Sequence, residues 1–159
     1  MVFTCGPSAG CRRGWIAVAI VVGVLWSAPA YAQAQPAPNT RLFANDGGMV
    51  LNFIKPDKTA DFEEVMAKLK EGLMKSTKPE RKEQAAGWRV FKSPDMAGAN
   101  HLYVFVIYPS VKGADYQISN IIAEAFPATE ANVILQKYAD SYAQGMNIVN
   151  LNLLQDFGK

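Results

Sequence analysis

The chain has 159 residues, half of them hydrophobic, and a formal net charge of +2. That length supports one core of ordinary size, and so even a charge excludes the concentrated basic face that a nucleic-acid partner requires. Both cysteines, Cys5 and Cys11, lie ahead of the fold and would leave with an N-terminal signal, which removes disulfides, thiol catalysis and cysteine-ligated metal from the processed chain.

The N-terminus reads as a secretion signal. Arg12 and Arg13 form a positive region, Trp15 to Trp26 is a continuous apolar run, and Ser27-Ala28-Pro29-Ala30-Tyr31-Ala32 ends in the small-x-small pattern cut by signal peptidase. Cleavage is expected after Ala32, so residues 1–32 are a signal peptide. An apolar run of about a dozen residues is too short for the roughly 20 that a membrane-spanning helix needs, so no stable membrane anchor is expected after cleavage. The product is expected to be exported, either periplasmic or secreted from a bacterium. Loss of Arg12 and Arg13 leaves 14 basic residues against 14 acidic ones, a net charge near zero.

Residues 33–48 open with Gln33 to Asn39, QAQPAPN, which has no apolar periodicity and reads as a disordered leader. The folded domain is expected over residues 49–157. Met49 to Ile54 predicts a strand, closed by a turn at Lys55-Pro56-Asp57-Lys58. Thr59 is expected to cap a helix to about Ser76, in which Phe62, Val65, Met66, Leu69 and Leu73 recur at spacings of three and four. Asp61, Glu63 and Glu64 near its start and Lys68, Lys70 and Lys75 later complement the helix dipole, and Glu64 with Lys68 and Glu71 with Lys75 are spaced to pair. Pro79 to Ala86 predicts one or two further helical turns, with Pro79 at the first position.

A second strand is expected from Trp88 to Ser93, then a loop from Pro94 to Asn100, then a third strand from Leu102 to Tyr108. Helices follow from Asp115 to Phe126 and from Thr129 to Ala143, ended by Gly145. Asp115 and Thr129 read as helix caps, Tyr138 and Tyr142 as buried helix residues, and Lys78 to Lys82 as a solvated face. Asn147 to Gln155 is the last strand. This order is that of an α+β, ferredoxin-like split βαβ fold: a four-stranded antiparallel sheet with helices on one face.

The third strand is apolar on both sides. Leu102, Val104, Val106 and Tyr108 point one way, and Tyr103, Phe105 and Ile107 the other. Helices can cover one side only, so the other is expected to meet a second copy and form a dimeric barrel, since leaving such residues bare forgoes about 1.5–3 kcal/mol each. The wholly apolar sets, Met49, Leu51 and Phe53 with Val149, Leu151 and Leu153, are assigned to the helices. The amide-bearing sets, Val50, Asn52 and Ile54 with Ile148, Asn150, Asn152 and Leu154, are assigned to the barrel interior. A few polar groups on an apolar wall describe a small-ligand site, so Asn52, Trp88, Arg89, Tyr103, Phe105, Asn150 and Asn152 are the candidate ligand-binding residues. No catalytic residue is assigned.

Each candidate has two readings. The asparagines could hold a carbonyl, dioxygen or water, or bond one another. The rings of Trp88, Tyr103, Phe105 and Tyr108 could stack on a flat ligand or serve core and dimer packing. His101, without partners identifiable in the sequence, reads as a strand-edge residue.

On this element order and two-faced sheet, Met49 to Phe157 resembles the dimeric α+β barrel superfamily. That group includes antibiotic-biosynthesis-type and haem-degrading monooxygenases, dye-decolourising and chlorite-dismutating haem enzymes and stress-responsive barrel proteins. The stretches MVLNFIKPDKTADFEEVM and FVIYPSVKGADYQI are also similar to an uncharacterised group of exported bacterial proteins. Haem-degrading members use an Asn, a Trp and a His. Asn52, Trp88 and His101 are present, but Trp88 falls on the second strand and His101 just before the third, so those roles are not carried over and no cofactor is expected. The combined expectation is an exported homodimer that binds a small apolar molecule in the barrel. The alternative is a cofactor-independent monooxygenase or isomerase acting on a small aromatic or quinol-like substrate, with Asn52, Trp88, Arg89 and Asn152 around it.

Overall fold

A computed structural model describes residues 40–158, so the predicted signal peptide lies outside the described residues. Strand β1 (Gly47–Ile54) runs through a 3-10 turn at Pro56–Lys58 into helix α1 (Thr59–Lys75) and then α2 (Pro79–Gly87). A hairpin of β2 (Trp88–Ala97) and β3 (Asn100–Ile107) leads to α3 (Ile118–Ala125), α4 (Ala128–Ser141) and β4 (Asn147–Leu151). The four strands form one open antiparallel sheet in the order β2-β3-β1-β4, compatible with a ferredoxin-like fold. Among the described residues no helix is long and apolar enough to cross a membrane.

The α1 stripe folds as its spacing predicts. Phe62, Val65, Leu69 and Leu73 are buried, and Phe62 lies 4.7 Å from the Tyr103 ring and 6.2 Å from that of Phe105. Ion pairs fix the neighbouring helix: Glu64 meets Lys137 of α4 at 2.6 Å, not the predicted Lys68, which turns to Glu130 at 2.9 Å. Glu71 does pair with Lys75. Pro79 starts α2 as expected, but among the described residues no α-helix has a side-chain N-cap hydrogen bond. Thr59 and Thr129 lie inside their helices. Asp115 sits upstream of α3, where Oδ1 accepts from the Gln117 amide at 2.9 Å and the Arg41 amide at 2.8 Å.

The assignment of sheet faces is reversed. Cross-strand partners share a face, and Val50 opposite Phe105, Asn52 opposite Tyr103 and Ile54 opposite His101 all lie beneath the helices. The uncovered face carries Met49, Leu51 and Phe53 of β1 against Val106, Val104 and Leu102 of β3. Phe91 and Arg89 of β2 and Val149 and Leu151 of β4 continue it to both edges. The reversal has a physical cause: an amide can be buried at little cost when every polar atom on it is bonded, as Asn52 is.

Boundaries also differ, with α3 starting at Ile118 instead of Asp115 and β4 ending at Leu151 instead of Gln155. The loop predicted from Pro94 is mostly strand, because β2 is an edge strand and its register shift between Lys92 and Met96 accommodates a residue with no amide hydrogen. The turn shrinks to Gly98 and Ala99, with Gly98 at φ +65°, the positive value short hairpin turns require. At the other end, the expected leader is not free up to residue 48. Phe43 is 1% exposed, its ring 5.3 Å from that of Tyr116, and the Tyr116 amide donates to the Arg41 carbonyl at 2.7 Å.

Candidate functional site

The seven candidate residues do not converge. Asn52, Tyr103 and Phe105 belong to the core, each at most 2% exposed. The Asn52 amide nitrogen donates to the carbonyls of Val50 and Tyr103, both at 3.1 Å, and its Oδ1 accepts from the Tyr142 hydroxyl at 2.8 Å. Every strong bond this side chain can accept or donate in that space is in use. The Tyr103 hydroxyl donates to Glu63 at 2.6 Å, and Lys92 reaches the same carboxylate at 2.8 Å. The Lys92 and Tyr103 bonds together hold Glu63 below the usual carboxylate range. Asn150 and Asn152 are exposed at the β4 end, where Asn152 accepts from Asn45 at 2.6 Å. Arg89 is on the uncovered face, in a shallow groove with Glu83, Tyr108 and Lys112.

Trp88 alone of the seven lines an apolar cleft. Its register puts it opposite Ile107 on the helix side, where its ring meets Phe105 edge-on at 5.8 Å and Tyr116 at 5.5 Å. Its indole nitrogen is buried and has no acceptor. Beside it opens a cleft of about 770 Å³, within the range of small-molecule sites. One wall is α1, through Met66, Lys70, Leu73 and Met74; another is α2, through Lys82, Ala85 and Ala86; the floor is Trp88 and Val90 of β2.

The cleft exists because α2 and β2 stand away from α1 beyond its core stripe. Met66, Lys70 and Met74 are spaced by four and form a second row along α1. Met74, at 55% exposed, has no helix over it. Sequence reasoning placed Met66 in the core and passed over Met74. The available signal was two methionines flanking a lysine on one helical row, since unbranched thioethers suit a surface that adapts to a ligand.

Behind the cleft, α2 is anchored by a buried cation. Arg81, 5% exposed, bonds Gln84 at 2.8 Å and Glu124 of α3 at 3.0 Å, and Lys78 and Ser76 reach the same carboxylate at 2.7 and 2.9 Å. Partial burial opposes ionisation of Glu124, but these bonds prevail and lower its pKa to about 2.

No protein-family model, curated protein or solved structure matches this chain. The class of protein is therefore defined by the fold: a small α+β protein with an open four-stranded antiparallel sheet and an apolar cleft at one end.

Proposed function

We propose that this chain is an exported protein that binds a small, largely apolar molecule in the cleft between α1, α2 and β2, and that two copies associate through the uncovered sheet faces. The observation that carries the binding reading is the cleft itself, walled by Met66, Leu73, Met74, Trp88 and Val90 and open to solvent. Pairing of copies is supported by the continuous apolar face, on which Phe91 is 52% exposed and Val149 and Leu151 are each 38% exposed. Export is supported by the Arg12-Arg13, apolar-run and Ala30-Tyr31-Ala32 pattern.

Reversal of the faces moves the ligand. A space between two uncovered faces would be filled by aliphatic side chains such as Leu51 and Val104, whereas the cleft offers room. The monooxygenase or isomerase alternative set Asn52, Trp88, Arg89 and Asn152 around one substrate, and the Asn52 amide is engaged within the core. Binding is thus the reading the geometry supports best. The test is titration of the full chain with the neutral probe N-phenyl-1-naphthylamine. Saturable binding, at one probe per protomer, should weaken at least about tenfold in Ala86→Trp, which fills the cleft from an exposed position. Absence of saturable binding, or binding unchanged by that substitution, overturns the reading.

A further inference from the structure

We infer that the molecule held in this cleft is an amphipathic anion, an apolar body carrying an acidic head; this rests on the binding reading above. Ten lysines lie among the described residues, and eight of them have acceptors. Some donate to carboxylates, as Lys78 does to Glu124 and Lys92 to Glu63; others donate to backbone carbonyls, as Lys55 does to Asp140. Lys70 and Lys82 have no such partner, and both line this one cleft.

The rest of the wall has the same bias. No carboxylate, amide or hydroxyl side chain lines the cleft, and its other polar side-chain group is the indole N–H of Trp88, which also lacks an acceptor. Every strong polar side-chain group there is a donor. Of the acidic residues nearby in sequence, Glu71 is taken by Lys68 and Lys75, and neither Glu80 nor Glu83 lines the cleft. Two lysines, Lys70 on α1 and Lys82 on α2, thus line the same apolar space. The wall asks for an apolar body, and the two cations, exposed to water beside it, repel a cationic guest. A molecule with its apolar part against Met66, Met74 and Trp88 and an anionic head at Lys70 and Lys82 satisfies both. An ammonium acts as a point charge and lacks the planar fork of a guanidinium, so the pair selects for negative charge more than for head shape.

The experiment is calorimetric titration of the full chain with decanoate, decyl phosphate, decan-1-ol and decylamine, which share one tail. Decanoate and decyl phosphate should bind about tenfold more tightly than decan-1-ol, with decylamine weakest, and the preference should shrink between about 50 and about 500 mM salt. The double substitution Lys70→Gln with Lys82→Gln should abolish the preference for decanoate and decyl phosphate over decan-1-ol. Binding of decan-1-ol as tight as that of decanoate by the unsubstituted chain overturns the anionic assignment while the cleft reading survives. A preference that persists in the double variant overturns the assignment as well. If none of the four binds, the assignment and the cleft reading fall together.

Discussion

The Tyr142 hydroxyl lies 2.8 Å from Oδ1 of Asn52 and joins the end of α4 to the middle of β1 inside the core. Oδ1 can only accept, so Tyr142 gives it the single hydroxyl proton, and Tyr138, 2.8 Å away, donates to Tyr142 in turn. Burial pushes both phenols well above their ordinary pKa, so they remain neutral donors throughout the working range.

Tyr142→Phe removes the donor to Asn52 and leaves a buried acceptor bare. The expected loss is about 1–3 kcal/mol in unfolding free energy, measured in urea. A loss below about 0.5 kcal/mol would mean that the amide is reached by water.

The segment ahead of β1 carries structural weight through Phe43. A Cβ built on Gly48 would stand 2.1 Å from the Phe43 ring, so the glycine is what allows the ring to lie across the strand. Gly48→Ala should destabilise the domain by about 1–3 kcal/mol through overpacking, and Phe43→Ala by about 3–5 kcal/mol through cavity formation. Unchanged denaturation midpoints in both would return this segment to the status of a leader.

Glu124 predicts an acid-sensitive contribution. Its folded pKa of about 2 lies below the ordinary value of 4.5, so its stabilisation is complete above the unfolded value and is lost as pH falls through the folded one. It should amount to on the order of 2 kcal/mol. The gap in urea midpoint between Glu124→Gln and the unsubstituted chain should narrow from about pH 6 to about pH 3 and close only below about pH 2. A gap that stays constant with pH contradicts the assignment.

Leu51 and Val104 face each other at the centre of the uncovered sheet face. If copies pair there, Leu51→Glu buries an unpaired carboxylate in the interface and should weaken association about a hundredfold, with little change in the fold of each protomer. Sedimentation equilibrium at micromolar concentration is the check. A wild-type chain that sediments as a monomer removes the pairing proposal altogether.

Much of the architecture was legible because it repeats over short distances. The Phe62–Leu73 stripe has helical spacing, Pro79 can only open a helix, and the element order points to a four-stranded antiparallel sheet. Residues a few positions apart carry that information. The sheet faces were misread because the amides were taken to mark the ligand-binding wall of a barrel and not a bonded core. The partner that makes Asn52 tolerable is 90 positions away, and no local pattern announces it. The same holds for Phe43 and Tyr116, and for Pro94 at a bulge that only an edge strand accommodates. Trp88 was legible as a large aromatic on the second strand, but the cleft beside it was not. Its walls come from three elements, and the Met66–Lys70–Met74 row stays uncovered only because α3 and α4 settle against the rest of α1. Short-range periodicity specifies what each segment becomes; which surface of it remains free follows from long-range contacts that form when the segments assemble.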